Sequence, residues 1–197
     1  MSRREMKPGI YMSPLPVALV SSGSCEDPNA CAVAWTGVIC SNPPRMYISL
    51  TKSRYSHEII SKTRDFVINM VSTDIIRATD TCGVKSGRDM NKFAECGLTA
   101  VPSLHVKSPS VAEAPMSIEC RVFDVIQLGS HDMFLADVVG ITADESLFND
   151  QDKLMYGRAD LVAYSHGTYV ELGKKVGDFG YSVEKKSTRR RKANNRK

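Results

Sequence analysis

Residues 29–50 read NACAVAWTGVICSNPPRMYISL, and TKSRYSHEII follows at 51–60. Apolar residues are almost continuous from Ala30 to Cys40, which is typical of a strand covered on both faces. Asn42-Pro43-Pro44 ends that strand, because neither proline has an N–H to donate to a sheet. Arg45 to Leu50 then returns as the next strand. The stretch therefore predicts two strands joined at a proline turn.

A helix is predicted directly after these strands, from Tyr55 to Thr63, with Ile59 and Ile60 on its apolar side. A helix N-terminus offers unpaired N–H groups and the positive end of the helix dipole. The hydroxyls of Ser53 and Ser56 and the guanidinium of Arg54 would complete a site for a phosphate. The alternative is that a serine merely caps the helix and the arginine is solvated.

A second candidate anion site lies in KSGRDMNKF, residues 85–93. A glycine loop there precedes a predicted helix that stops at Gly97, and Lys85, Arg88 and Lys92 supply positive charge. The segment does not match the phosphate-loop pattern GxxxxGK[ST], and Asp89 is a sufficient cap by itself. The plain start of a surface helix is the competing interpretation.

The remaining chain reads mostly as strands with short helices between them. Strands are predicted at Leu15 to Ser21, Phe66 to Val71 and Thr168 to Leu172, and a short helix within Asp74 to Cys82. SIECRVFDVIQL and DMFLADVVGITADE flank Gly129-Ser130-His131, the clearest hairpin of the chain. At least seven strands with few helices predict an antiparallel barrel, since a doubly wound parallel sheet needs regular helical crossovers.

Length and charge predict one domain, residues 1–183, and a basic C-terminal tail, residues 184–197. The chain has 197 residues and a net charge of +4, and its last fourteen residues carry eight Lys or Arg against one Glu. Residues 1–183 then hold 18 basic and 21 acidic residues, a net charge of −3. The tail lacks apolar periodicity, so we expect disorder and a solubilising role rather than nucleic-acid binding.

The six cysteines predict free thiols rather than a disulfide framework. No apolar run near the N-terminus resembles an export signal, so a reducing cytoplasmic location is expected, and no run suits a membrane helix. No CxxC spacing or close histidine pair occurs, so no metal site is expected. Cys40 and Cys120 are expected in the core as small apolar residues, and Cys31 is the one to test for redox sensitivity.

Seven short segments occur in an order that resembles the flavin reductase-like family, in its flavoredoxin-type branch. They are NACAVAWTGV, SRYS, VIN, CGVKSGRDMNKF, GLT, GSHDMFLADV and VGDFG, and they span residues 29–180. The resemblance implies a six-stranded Greek-key FMN-binding split β-barrel with flanking helices. It also implies a homodimer that binds FMN noncovalently near the subunit interface.

The same resemblance assigns residues to the flavin. The strand from Ala30 to Gly37 would contact the isoalloxazine ring, and two later segments would hold the phosphate side. The implied ring contacts are Ala32, Ala34, Trp35, Thr36 and Gly37; the implied phosphate-side residues are Ser53, Arg54, Tyr55, Ser56, Ser86, Gly87 and Lys92.

Two positions depart from the family pattern. Many relatives have Thr where this chain has Ala32, so one hydroxyl contact to the flavin is absent. Classical two-component flavin reductases have Gly-Asp-His where this chain has Gly129-Ser130-His131, a segment associated with the nicotinamide substrate. His131 either lines the flavin pocket or is a turn histidine hydrogen-bonded to Asp132 or to backbone.

Three functions follow from the resemblance. The first is an FMN-dependent oxidoreductase that takes electrons from NAD(P)H or a protein donor and passes them to flavin, ferric or protein acceptors. The second is an electron carrier without nicotinamide turnover. The third is a phosphate-binding barrel whose flavin site has decayed. No general base or catalytic triad is expected, because the cofactor carries the chemistry.

Overall fold

The computed structural model describes residues 1–184, so the predicted tail at 184–197 lies outside the described residues except for Glu184. The secondary structure is mainly β. The strands are β1 Leu15–Pro16, β2 Ala18–Gly23, β3 Pro28–Val33, β4 Thr36–Ser41, β5 Pro44–Thr51, β6 Asp65–Met70, β7 Ala100–Val101, β8 Ser110–Val111, β9 Met116–Gln127, β10 His131–Ala143, β11 Val162–Ser165 and β12 Thr168–Glu171. The α-helices are α1 Tyr55–Thr63, α2 Ile76–Val84 and α3 Lys92–Cys96, and 3₁₀ turns occur at Glu145–Leu147, Tyr156–Arg158 and Tyr181–Val183.

Seven antiparallel strands form the main sheet, in the order β3-β2-β6-β9-β10-β5-β4. Its two edge strands, β3 and β4, are consecutive in the chain and are separated only by Ala34 and Trp35. The Ser49 N–H donates to the Trp35 carbonyl at 2.9 Å, which holds this link against β5. The sheet is therefore curled into a barrel whose two edges are joined by a two-residue connection. We call this junction, residues 32–35, the seam.

The barrel interior is filled by buried side chains from six strands of the main sheet. They belong to one apolar cluster, which also includes Ile60 of α1: Ala18, Val20, Cys31, Val33, Ile48, Leu50, Phe66, Ile68, Cys120, Val122, Phe134 and Ala136. The intervening residues of β2 point the other way, so that Leu19 packs with Cys82 of α2 and Phe93 of α3 in a second cluster. The β2 strand is thus buried on both faces, and α2 and α3 are fixed on the outside of the barrel.

Asn69 on β6 joins these layers through a buried polar network. Its amide nitrogen donates to the Leu19 carbonyl at 2.8 Å and to Ser21 Oγ at 2.9 Å. Its amide oxygen accepts from the Val111 N–H at 2.9 Å and from Ser117 Oγ at 2.8 Å. Each buried polar atom in this group has a partner, which removes the penalty for burying it.

The sequence-based assignment of elements is confirmed in its main features. Helix α1 has the predicted bounds, β9 and β10 flank the predicted hairpin, and β12 follows the predicted last strand. The mainly β barrel with flanking helices is confirmed as well. The main sheet has seven strands where the resemblance implied six. The predicted strand Ala30 to Cys40 is broken at the seam into β3 and β4.

Three details of the sequence-based prediction were wrong or missing. The predicted strand Leu15 to Ser21 is interrupted at Val17, and β1 pairs with β11 rather than with the main sheet. Asn91, not Asp89, caps α3, since its side-chain oxygen accepts from the Ala94 N–H at 3.1 Å. Strand β11 was not predicted, because it is only four residues long and is held by pairing with β1 and β12.

Within residues 1–184, no helix combines the length and the apolar character needed to cross a membrane.

Candidate functional site

A groove runs along the seam and continues beneath the β11–β12 hairpin. Its part near the seam has a volume of about 150 Å³ and its part near the hairpin about 350 Å³, and the two share Ala32, Val33, Ala34 and Arg54. The combined size suits a small-molecule ligand. The seam part is completed by Trp35, Ser49, Leu50, Thr51 and His131; the hairpin part by Val17, Asp80, Gly83, Val84, Tyr164, Gly167 and Tyr169.

The floor of the groove is backbone with small side chains. Strand β3 is an edge of the main sheet and pairs only with β2. An edge strand presents N–H and C=O groups that have no partner in the sheet. Ala32 and Ala34 leave this edge uncovered, because a methyl group is too short to shield it. The seam therefore offers hydrogen-bonding groups to a flat, polar-edged ligand.

Arg54 lies where the two parts of the groove meet. It is the N-cap of α1, with extended backbone, and its side chain makes no capping hydrogen bond. Its guanidinium donates to the Gly83 carbonyl at the end of α2. The Arg54 and His57 N–H groups already donate to the Thr51 and Arg54 carbonyls. The N–H groups of Tyr55 and Ser56 at the start of α1, together with the arginine fork, form an arrangement suited to an anion.

The predicted second anion segment lies against the first. Arg88 donates to the Ser53 carbonyl at 3.1 Å and to Glu58 Oε2 at 3.0 Å, and its guanidinium lies 5.0 Å from the centre of the Tyr55 ring. A Cβ on Gly87 would come within 2.1 Å of Asn29 Oδ1, so only glycine permits this approach. The structure thus brings residues 53–56 and 85–88 together. Arg88 was named among the charges of the second candidate segment but not among the flavin contacts, and its bond to Ser53 was not predicted.

Two predicted phosphate-side residues point into the protein. Ser56 is buried, and its Oγ accepts from Asn29 Nδ2 at 2.7 Å. Lys92 is 3% exposed, and its amine donates to the Ala30 and Cys82 carbonyls at 2.7 Å each. Burial lowers the pKa of Lys92. Neither residue lines the groove, whereas Ser53 is exposed beside it and Ser86 accepts from the Arg88 N–H.

Trp35 and His131 form the wall of the groove at the seam. Their ring centres are 4.5 Å apart, and Ser130 Oγ lies 2.9 Å from His131 Nδ1. Thr36 and Gly37 lie just past this wall. The Thr36 hydroxyl donates to the Tyr47 carbonyl at 2.7 Å, and a Cβ on Gly37 would lie 3.2 Å from the Tyr47 ring. Both residues thereby fix the start of β4 behind Trp35.

The hydrogen bond considered between His131 and Asp132 does not form. Consecutive residues of a strand point to opposite faces, so His131 faces the groove while Asp132 faces α1. Asp132 is 5% exposed and lies 2.8 Å from His57 Nε2 and 3.5 Å from Lys52 Nζ. Desolvation opposes ionisation of this carboxyl, but the His57 hydrogen bond and the Lys52 charge outweigh it and lower the pKa of Asp132.

A cluster of aromatic residues under the hairpin was also missed. Tyr169 donates to Asp80 Oδ1 at 2.9 Å, and its ring lies 5.7 Å from that of Tyr164. Partial burial, and then the hydrogen bond to Asp80, raise the pKa of Tyr169 to about 12. At neutral pH the hydroxyl is therefore a donor. No sequence signal linked Asp80 with Tyr169, because 89 residues separate them.

The six cysteines are free thiols; Cys31, Cys82 and Cys120 are buried, while Cys40 is partly exposed rather than in the core. Among residues 1–184, no group of three or more His, Cys, Asp or Glu is placed to hold a metal ion.

The candidate site is thus a groove that follows the seam of a β-barrel and passes Arg54 at the start of α1. The profile described as "Flavin reductase like domain" matches residues 10–172, and the chain belongs to that family. The family resemblance found in the sequence is thereby confirmed.

Solved structures agree with this placement. Flavoredoxin of Desulfovibrio vulgaris (Miyazaki F) is 30% identical, with a TM-score of 0.85 over 93% of this chain and 100% of that chain. Flavoredoxin from Methanosarcina acetivorans is 22% identical, with a TM-score of 0.84 over the same shares, and supports the fold. The split-barrel fold expected from the sequence is confirmed.

Two further proteins are similar to this chain in sequence. An uncharacterised protein of Pyrococcus abyssi is 34% identical over 135 residues, which cover 68% of this chain and 77% of that protein. The reductase component of a 4-nitrophenol 4-monooxygenase/4-nitrocatechol 2-monooxygenase from Rhodococcus opacus is 27% identical over 125 residues, covering 62% and 63%. Family and neighbours together support flavin-related electron transfer.

The ionised Asp132 should make stability depend on pH. A carboxyl whose pKa is lower in the folded than in the unfolded state adds to stability. That contribution is fully present above the unfolded-state pKa, near 3.9, and is lost as the pH falls through the folded-state pKa. We expect the difference in unfolding free energy between wild type and Asp132→Asn to be largest at neutral pH and to shrink below about pH 4. Urea denaturation across the pH series measures it.

The exposed Asp150→Asn serves as the control and should give a small difference throughout. A wild-type to Asp132→Asn difference that stays constant from neutral pH to about pH 3 would contradict the lowered pKa.

Proposed function

We propose that this protein is an FMN-binding oxidoreductase that passes electrons from NAD(P)H or a protein donor to flavin, ferric or protein acceptors. One observation carries the proposal: the groove runs from the seam to Arg54 on the N-terminus of α1 and continues from there beneath the β11–β12 hairpin. FMN has the matching form, a flat ring with a polar edge joined by a flexible chain to a phosphate.

The donor set fits FMN at both ends. At the seam, the unpaired edge of β3 beside Ala32 and Ala34 can hydrogen-bond the pyrimidine side of the ring, with Trp35 against it. At the other end, Ser53, Arg54 and the N–H groups of the first turn of α1 can hold the phosphate. Ala32 supplies no hydroxyl, so the ring depends on backbone groups there.

The second predicted phosphate-side segment, residues 86–92, fits FMN less directly. Gly87 lies next to Tyr55 and Ser86 precedes it, so their backbone and hydroxyl groups can add to a phosphate site there. Lys92 and Ser56 act instead on the protein itself: Lys92 donates to the Ala30 and Cys82 carbonyls, and the Ser56 hydroxyl accepts from the Asn29 side chain. Their predicted contact with the phosphate stays a prediction.

Bound FMN would supply the acceptance and release of hydride or single electrons. The protein's own part is to position the ring at the seam, neutralise the phosphate and leave one side open to a donor. His131 lines that opening, paired with Trp35, so its imidazole can contact the donor or the ring edge. No side chain needs to act as a general base.

The alternative is an electron carrier that binds FMN and does not turn over nicotinamide. Its support is the likeness to a flavoredoxin, together with Gly129-Ser130-His131 in place of Gly-Asp-His. The oxidoreductase is supported by the relative from Rhodococcus opacus, whose description names a reductase component.

Removal of the Arg54 side chain should test the phosphate end of the site. We expect Arg54→Ala to weaken FMN binding by about tenfold or more and riboflavin binding far less, since a charged hydrogen bond contributes about 1.5–3 kcal/mol and riboflavin has no phosphate. Dissociation constants from quenching of flavin fluorescence give the comparison.

The exposed Arg77→Ala, which removes an equal charge from α2, is the matched control and should leave both affinities unchanged. Equal losses for FMN and riboflavin in Arg54→Ala would rule out this phosphate assignment. Absence of FMN binding by the wild type would rule out a flavoprotein and favour the phosphate-binding barrel with a decayed flavin site.

Anaerobic stopped-flow spectroscopy should separate enzyme from carrier. For the oxidoreductase, excess NADH or NADPH should bleach the absorption of bound FMN near 450 nm within seconds, in keeping with ordinary turnover of about 1–1,000 s⁻¹. If neither nucleotide bleaches the band while a reduced ferredoxin-type or flavodoxin-type donor does, the carrier is the correct assignment.

A homodimer is part of the proposal. Edge strand β4 exposes Val38 and Ile39, at 73% and 47% of their full accessible surface, directly after the seam. Adjacent apolar side chains on an unpaired edge are typical of an interface with another chain. A second copy packed there would cover the edge close to the groove.

Val38→Glu should weaken that association, because a charge would be buried at the interface. In sedimentation velocity we expect a dimer for the wild type and a shift toward monomer for the variant. Leu104→Glu, a charge placed on an equally exposed residue of a distant loop, should remain dimeric. A wild type that is monomeric at all concentrations would contradict the proposal.

A cytoplasmic location, and the absence of a membrane or nucleic-acid partner, are also part of this proposal. The acidic balance of residues 1–183 supports the absence of a nucleic-acid partner, since nucleic-acid binding depends on positive surface charge.

A further inference from the structure

Two cysteines of the outer layer lie within contact distance of each other. Cys82 is in the last turn of α2, Cys96 is the last residue of α3, and their sulfurs are 4.0 Å apart. A disulfide has an S–S length of about 2.05 Å, so the sulfurs need to move about 2 Å closer. Both residues lie at helix ends, where side chains and backbone adjust more readily than in a helix centre.

The pair is held in place by the buried lysine. Lys92 donates to the Cys82 carbonyl at 2.7 Å, and it precedes Cys96 by four residues on α3. Residues four apart lie on the same face of a helix, so Lys92 and Cys96 both face the end of α2. Gly97, in the left-handed conformation with a φ of 65°, ends the helix directly after Cys96. The two sulfurs are therefore set facing each other by contacts that do not involve them.

The two thiols differ in access. Cys82 is fully buried, whereas Cys96 is partly exposed. Desolvation, and then the nearby Cys96, raise the pKa of Cys82 to about 12, while the Lys92 charge acts in the opposite direction. An external reagent would thus meet Cys96 first, and Cys82 would complete the reaction slowly.

We propose that Cys82 and Cys96 form a thiol–disulfide redox site that exchanges electrons with low-molecular-weight disulfides. The Cys96 thiolate attacks one sulfur of the small disulfide, whose S–S bond breaks and releases one thiolate. The Cys82 sulfur then attacks the Cys96 sulfur, the bond between Cys96 and the small thiol breaks, and the Cys82 proton passes to the departing small thiolate. The two protein thiols lose two electrons and two protons, and the small disulfide becomes two thiols.

This site is separate from the groove but adjoins it. Gly83, the residue after Cys82, lines the groove, and its carbonyl accepts the hydrogen bond from Arg54. The proposal does not depend on flavin binding, because the thiols and the small disulfide balance the reaction by themselves.

To test the proposal, the purified protein is incubated with millimolar glutathione disulfide, in the presence and in the absence of FMN. The pH is about 8.5, near the pKa of an ordinary thiol. We expect loss of two thiols per chain, a mass lower by about 2 Da, a Cys82–Cys96 linked peptide after digestion, and reversal by dithiothreitol. Cys96→Ser should abolish the loss of mass, whereas Cys25→Ser and Cys40→Ser should not.

Three results would overturn the proposal: no change in mass over a day, a linked peptide that joins other cysteines, or a stable glutathione adduct on Cys96. Circular dichroism confirms that each variant is folded, and Cys96→Ser is informative even if Cys82→Ser fails to fold. Failure here would leave the Arg54 measurement untouched, since that experiment reads flavin affinity in reduced protein.

Discussion

The link of Ala34 and Trp35 between the two edges of the main sheet is the constraint on which the other features depend. Strands β3 and β4 are neighbours in the chain but lie at opposite edges of a seven-stranded sheet. From Val33 to Thr36 the chain spans three Cα–Cα steps, at most about 10 Å, so the sheet must curl until its edges come close together. The barrel is thus closed by the covalent chain rather than by a complete ladder, and the unpaired edge of β3 becomes the floor of the groove.

Buried polar contacts then fix what surrounds the seam. Asn69 ties β6 to β2, β8 and β9, and Lys92 ties α3 to β3 and to the end of α2. The bond from Arg54 to the Gly83 carbonyl continues this chain of contacts from α2 to α1. The first turn of α1, the end of α2 and the seam are therefore placed together by groups that would be costly to leave unpaired. The same contacts set Cys82 against Cys96.

Sequence patterns predicted those parts of the site that depend on local structure. The bounds of helix α1 could be predicted because its signals are local. A hydroxyl-rich turn comes directly before the helix, and the apolar residues of its inner side follow within nine residues. The hairpin at His131 followed from alternation in β9 and β10. Helix physics offered Ser53 and Arg54 as a candidate anion site, and the family resemblance assigned both to the phosphate; in the structure Arg54 lines the groove and Ser53 is exposed. The break at the seam was missed, because Ala34 and Trp35 are as apolar as the strands they separate.

The sequence by itself determined the mainly β composition, the positions of most elements and, through ordered motifs, membership in the flavin reductase-like family. Only the tertiary structure decided which side chains face the groove. Lys92 was predicted on the phosphate side of the flavin but is buried, where its amine donates to two carbonyls. Arg88, named in the second candidate anion segment but not among the predicted flavin contacts, joins that segment to Ser53 of the first. Asp80 meets Tyr169, and Asp132 meets His57, across 89 and 75 residues. Such pairs leave no local pattern, because the direction of a side chain is set by strand register and by packing between distant segments.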